Sequence, residues 1–271
     1  MATSQQSSGA GGVADGLSDV ARSATDNRVV DLGARAGYAV NGILHLLIAW
    51  LGVGVALGRH DANADPSGAM AVIAGTPFGK IVLVAIVVAF ALLALWQVGE
   101  CVRGPGAGDR AKAAAKAVVY LALASGAVSF LTGSGSSGAN QAGGATAALM
   151  DLPFGQALVV LAGVAVAGVG AYHLHKGWTE KFREDLAGAP SRLTVVAGKV
   201  GYIARGIAFI AIGVGVVAAG VTHHPSRSRG LDGALRDMVA LPWGPVIVLL
   251  VAAGFAAFGL YSFSRARRAR T

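Results

Sequence analysis

Six long apolar stretches, separated by polar segments, divide this chain into three similar parts. The stretch Pro77–Trp96, PFGKIVLVAIVVAFALLALW, opens with Pro-Phe-Gly, runs almost unbroken through apolar residues and closes on an aromatic. The same plan returns at Pro153–Tyr172 (PFGQALVVLAGVAVAGVGAY) and at Pro242–Tyr261 (PWGPVIVLLVAAGFAAFGLY), and each time the closing aromatic stands nineteen residues after the proline. A spacing held three times identifies an internal repeat. Nineteen helical residues cover about 29 Å, close to one hydrocarbon thickness of a bilayer. Each of these stretches follows another apolar one. Spans are therefore predicted at residues 37–57, 78–98, 117–131, 154–173, 200–219 and 243–263. The third is short, because residues 133–144 are nearly all Gly, Ser, Ala and Asn; residues 133–138 read as a flexible linker. The predicted fold is an all-α membrane protein of six transmembrane helices in one transmembrane domain. Its three tandem parallel helical hairpins cover residues 35–102, 115–178 and 198–267, related by a pseudo-threefold axis along the membrane normal. Residues 1–34 form a polar tail and 179–197 a linker.

Charge sets the expected orientation. Sixteen Lys and Arg residues lie on the side of the termini: Arg22, Arg28 and Arg35, then Arg103 to Lys116, Lys176 to Lys199, and Arg265 to Arg270. Five lie opposite: Arg59, Lys80, Arg227, Arg229 and Arg236. The positive-inside rule places both termini in the cytoplasm of a bacterial cell, with the chain in the inner membrane. Composition agrees, with 54% apolar residues, 13% charged residues and a mean hydropathy of +0.61. The net charge of +8 flanks apolar spans instead of interleaving with aromatics, so a lipid bilayer is the expected partner and nucleic acid is not. No cleaved signal peptide is expected. Leu17, Val20 and Ala24 permit a short amphipathic helix within an otherwise disordered tail.

The repeated residues read first as anchors. Pro77, Pro153 and Pro242 suit the first turn of a helix. Phe78, Phe154 and Trp243 mark the outer interface, while Trp96, Tyr172 and Tyr261 mark the inner one, joined by Tyr38, Tyr120 and Tyr202 near the cytoplasmic starts of the odd spans. Small residues at steps of four suggest helix contacts: Gly54 with Gly58; Gly163, Ala167 and Ala171; and Ala211, Gly215 and Ala219. After the fourth span, KGWTEKFREDL places Trp178, Phe182 and Leu186 at steps of four. This predicts a membrane-surface helix, with a docking face for a cytoplasmic or membrane partner as the sharper reading.

Polar residues within spans are the default pointers to function. Asn41 and His45 share a face of the first span. Arg205 stands three residues after Tyr202, as Asn41 does after Tyr38. Glu100 is the acidic residue nearest the inner end of a span, and is the expected partner of Arg205 if the arginine turns inward. One reading of Asn41, His45, Glu100 and Arg205 is a polar site that binds an anion or relays protons. The other is hydrogen bonding between helices, with Arg205 snorkelling to the headgroups. The histidines are not matched in depth, and the single cysteine, Cys101, excludes a multi-cysteine site. No metal or cofactor is expected. No GxxxxGK[ST], HExxH or GxSxG motif is present, so no catalytic residue is assigned and the chain does not read as an enzyme.

Arg35 with Tyr38, Lys199 with Tyr202, the three Pro-aromatic-Gly motifs and GWTEKF resemble an uncharacterised family of bacterial integral membrane proteins, catalogued as a domain of unknown function present in three copies per chain. The resemblance runs from about Arg35 to Arg267 and implies fold and membrane location, with no activity. The functional expectation is a non-enzymatic scaffold, or a protein that interacts with lipid or a partner. The alternative is a small-solute or ion transporter or channel. Such a path needs matched polar groups in all three repeats, and Leu123 stands where Asn41 and Arg205 would require one.

Overall fold

A computed structural model describes residues 28–59, 63–103 and 105–268; His60 and the candidate amphipathic segment at Leu17–Ala24 lie outside them. Within these, six helices are long and apolar enough to span a membrane. They are α1 (Arg28–Ala56), α3 (Gly79–Arg103), α4 (Ala107–Leu131), α6 (Gly155–Trp178), α7 (Arg192–Thr222) and α9 (Gly244–Arg268). The first begins at Arg28, inside the segment read as tail. The alanine-rich start of the third span is helical as well, so α4 reaches a full 25 residues.

Each repeat carries a short helix between its two spans: α2 (Pro66–Ala74), α5 (Gly138–Met150) and α8 (Gly230–Val239). Asp65 caps α2 by accepting from the Gly68 N–H at 3.0 Å, and Ser137 caps α5 by accepting from the Asn140 N–H at 3.2 Å. Residues 133–137 of the stretch that reads as a linker lie outside any helix, and the glycine-rich run continues from Gly138 as α5, since a serine cap followed by Ala-rich sequence outweighs the glycines.

The Pro-aromatic-Gly motif makes the turn out of each short helix, and the long helix starts at its glycine instead of at its proline. The glycine N–H closes the turn on Thr76, Leu152 or Leu241 at 2.8–3.0 Å. Proline sits at the second turn position and the aromatic at the third. Phe154 and Trp243 hold φ 62°, a left-handed conformation that an aromatic adopts only when its surroundings enforce it. A side chain on Gly79, Gly155 or Gly244 would run into the last carbonyls of the preceding short helix, at Ile73, Leu149 and Val239. Phe78, Phe154 and Trp243 are themselves exposed, as outer-interface aromatics should be.

The tightly packed pairs of spans are α3–α4, α6–α7 and α9–α1, each joining the last helix of one repeat to the first helix of the next, cyclically. One further extensive contact, α7–α9, lies within the third repeat and has no counterpart of comparable extent in the other two. Among the described residues the packing is thus not threefold-equivalent throughout. The α3–α4 pair meets the remaining spans chiefly through α2. Ile48, Leu51 and Val55 of α1, Leu235 of α8, and Val248, Val251 and Phe255 of α9 form the main core.

The α6–α7 seam keeps Gly163 and Ala167 of the expected ladder, both against Gly213, but continues through Gly170 and Gly177, in steps of seven from Gly163, instead of through Ala171. Gly163, Gly170 and Gly177 face Val217, Gly206 and Ile203, and a Cβ on Gly170 would lie 2.7 Å from the Gly206 carbonyl oxygen. A seven-residue period with small residues at the seam is left-handed supercoil packing at close range. Gly54 and Gly58 make no helix contact: Gly58, at φ +79°, ends α1, with the Arg59 N–H returning to the Gly54 carbonyl at 2.9 Å. Gly170→Ala should therefore cost about 1–3 kcal/mol by overpacking, although alanine is the better helix former by roughly 0.5–1 kcal/mol. Gly168→Ala, with nothing within 4 Å of the added carbon, should be neutral or stabilising. Thermal unfolding of both variants in detergent checks the seam; equal melting temperatures would contradict it.

Candidate functional site

Two of the six aromatic residues expected at the inner interface are instead core. Trp96 and Tyr172 are exposed, while Tyr202 and Tyr261 are buried. Tyr261 donates its hydroxyl hydrogen to the Phe182 carbonyl at 3.1 Å. Tyr120 is not at the start of its span. It lies thirteen residues into α4 and stacks on Phe90 in the middle of α3 at 6.1 Å. The reason is the early end of α4 at Leu131, which leaves this tyrosine and Leu123 nearer the far end of their helix than Tyr38 and Tyr202 are in α1 and α7.

The KGWTEKFREDL segment is not a surface helix. The helix α6 ends at Trp178, Glu180 turns the chain at φ 56°, and a single 3₁₀ turn, Lys181–Asp185, brings Phe182 and Leu186 into the bundle. Phe182 lies on Gly198, stacks on Tyr202 at 5.5 Å and meets Tyr261 edge-on at 5.3 Å. Asp185 holds the segment down through Lys176 at 2.8 Å and Arg265 at 3.7 Å. Trp178 points outward beside Lys199.

Above this plug, polar groups run across four packed helices. On α1 and α9, the Asn41 amide donates to Ser262 Oγ at 3.1 Å, and that hydroxyl donates to the Phe258 carbonyl at 2.9 Å. His45, buried, has its Nδ1 2.8 Å from the Asn41 carbonyl, an acceptor only. Nδ1 therefore carries the proton and Nε2 keeps its lone pair in the neutral ring. The same imidazole packs on Phe258 at 4.7 Å. On α7, the Arg205 guanidinium lies over Phe258 at 4.4 Å and over Phe209 at 5.7 Å. His173 of α6 stacks on the Phe209 ring at 5.4 Å.

His45 and Arg205 thus pack on one ring, Phe258, and Asn41 reaches the carbonyl of the same residue through Ser262, while Glu100 stands apart. It is exposed on α3, accepts from the Trp96 indole at 3.4 Å, and belongs to the pair of helices farthest in contact from α7. No carboxylate comes within 4.0 Å of Arg205 among the described residues. Ser262, Phe258 and Phe209 were not singled out from sequence. The only trace was a serine breaking the apolar run of the last span.

A family model described as a Domain of Unknown Function, DUF1206, matches residues 36–104, 111–180 and 200–269. The chain belongs to this family. Each matched segment holds one long helix, one short helix and a second long helix, so the DUF1206 unit is the repeat of the architecture. The chain is also similar to the "Uncharacterized protein YxxB" of Bacillus subtilis (strain 168), at 28% identity over 244 residues that cover 85% of this chain and 88% of the relative. No solved structure matches it.

The plug yields a test of how this end of the DUF1206 bundle is held. Phe182→Ala should destabilise the protein by about 3–5 kcal/mol, as for truncation of a buried phenylalanine. Trp178→Ala, on the exposed side, should stay within about 0.5 kcal/mol. Unfolding in detergent reads both, and equal losses would return the segment to the membrane surface.

Proposed function

We propose that this DUF1206 protein is a non-enzymatic bacterial inner-membrane protein, with both termini in the cytoplasm, that binds the anionic headgroup of an inner-leaflet phospholipid at Arg205. The sixteen-to-five distribution of basic residues supports the orientation. One observation carries the lipid reading: Arg205 lies over two phenylalanine rings and forms no ion pair or hydrogen bond among the described residues. An arginine within a span costs about 2.5–3.5 kcal/mol at the centre on insertion scales, and an anion recovers much of that. Stacking on Phe258 and Phe209 fixes the guanidinium plane and leaves its N–H edge for a phosphate, which it can engage through two parallel hydrogen bonds. Arg205 is six residues along α7 from Lys199, about 9 Å deeper, within reach of the headgroup region for a long side chain that snorkels.

Two measurements test this. In nanodiscs, Arg205→Gln should weaken phosphatidylglycerol binding at least tenfold, about 1.4 kcal/mol, and leave the lipid-free melting temperature within a few degrees. Unchanged binding removes the lipid reading. Reproducible ion or solute flux above empty liposomes would replace it with a transporter. For topology, in a Cys101→Ser background, cysteines at Ser134 and Ser226 should react with an impermeant thiol reagent on sealed cells, and a cysteine at Ser191 should not. All three positions lie near or at the ends of the short or long helices, so labelling of Ser191→Cys inverts the orientation.

A further inference from the structure

At the end of the bundle that carries the short helices, a cavity of about 200 Å³ is lined by all three repeats. Asp65, Ser67 and Met70 come from the first repeat, Leu123, Gly138 and Gln141 from the second, and Gly230 and Leu231 from the third. Asp65, Gln141 and Gly230 are equivalent positions, each twelve residues before its repeat's proline. The short helices thus bring one register position from each repeat to one place, with a different chemistry at each.

Asp65 is 2% exposed. Its Oδ1 is used twice, accepting from the Ser67 hydroxyl and from the Gly68 N–H. Ser67 Oγ in turn accepts from the Gly138 N–H at 2.8 Å, which ties α2 to the start of α5. Asp65 Oδ2 is buried and has no hydrogen-bond partner. It presses so closely on the Cα of Gly138 that a side chain there would collide with it. Gln141 donates its amide to the Ser136 carbonyl at 3.1 Å, and its Oε1 accepts from no group among the described residues. Two residues with an unused acceptor oxygen, Asp65 and Gln141, therefore line one cavity whose described lining includes no basic side chain. The nearby Asp232 is already matched, by Arg236 at 2.7 Å and by the Ala64 N–H at 2.8 Å.

We propose that this cavity binds a small, partly hydrated monovalent cation, held by Asp65 Oδ2 and Gln141 Oε1. Hard oxygen donors select a hard cation, and a single carboxylate neutralises a single charge. Divalent sites gather several carboxylates, and no three His, Cys, Asp or Glu side chains stand together among the described residues. Burial pushes the Asp65 carboxyl above its ordinary range, and Asp232 adds to the effect. An ionised Asp65 thus needs a compensating positive charge that the described residues do not supply.

The full chain in detergent at pH 7.5 is titrated with NaCl or KCl against N-methylglucamine chloride at constant ionic strength, with the melting temperature as the readout. A rise with at least one alkali cation is expected, because a ligand that binds only the folded state stabilises it by RT ln(1 + [L]/Kd), and the concentration at which the rise sets in gives Kd, the midpoint of binding. Asp65→Asn should abolish the rise, and Gln141→Leu should move its midpoint at least fivefold. Equal melting temperatures in all three salts overturn the proposal, as does the same rise in Asp65→Asn, or a melting temperature that responds to pH and to no cation. If Asp65→Asn does not fold, an unchanged midpoint in Gln141→Leu overturns it equally.

Discussion

A carbonyl oxygen pressed against a glycine α-carbon fixes the shape of each repeat. Where the short helix ends and the second span begins, the chain reverses within three residues. The carbonyls of Ile73, Leu149 and Val239 then occupy the space a side chain would need on Gly79, Gly155 and Gly244. Proline presets the turn from one side, and the left-handed aromatic, at φ 62° in Phe154 and Trp243, completes it. Because the turn is rigid, each short helix is held against the top of its own span, and α5 packs on both α2 and α8. Through that meeting the α3–α4 pair stays joined to the other four spans. The motif that looked like an anchor at a helix start is a corner on which the assembly of the repeats depends.

Much of this was legible. Six spans and a threefold repeat follow from apolar runs and one fixed spacing, because a bilayer makes length and hydropathy almost sufficient. The short helices are hidden from a search for long apolar runs: α2 and α5 are built mostly of small residues without an apolar period, and α8, which does carry one in Leu231, Leu235, Met238 and Val239, is only 10 residues long. A second repeat was nevertheless present: Gly68-Ala69, Gly144-Ala145 and Gly233-Ala234 each begin nine residues before a motif proline. The KGWTEKFREDL segment misled for a different reason. Steps of four are the same whether an apolar face meets lipid or protein, and the socket for Phe182 comes from Gly198, Tyr202 and Tyr261, which no local pattern connects to it.

The candidate site shows where repeat register stops being informative. Asn41 and Arg205 do share a neighbourhood, around Phe258, because α1 and α7 both pack on α9. Glu100 was paired with Arg205 by depth alone. Depth says nothing about which helices touch: the tightest pairs join one repeat to the next, α3 to α4 and α7 to α6, and α7 also packs on α9 within its own repeat. The arginine therefore keeps its aromatic contacts and no carboxylate.

A repeated scaffold with unequal side chains at equivalent positions can build an asymmetric site at its own centre. At the register of Tyr38, Tyr120 and Tyr202 plus three residues, the chain carries Asn41, Leu123 and Arg205. At the register of each proline minus twelve it carries Asp65, Gln141 and Gly230. Had all three repeats kept a carboxylate at the second register, three like charges would share about 200 Å³, and their repulsion and desolvation would oppose folding. Gly230, which holds φ 64° where its α8 helix begins beside Gly138, and the neutral amide of Gln141 remove that conflict and leave one charge in the cavity. At the second register the repeats therefore diverge where three identical carboxylates could not have packed.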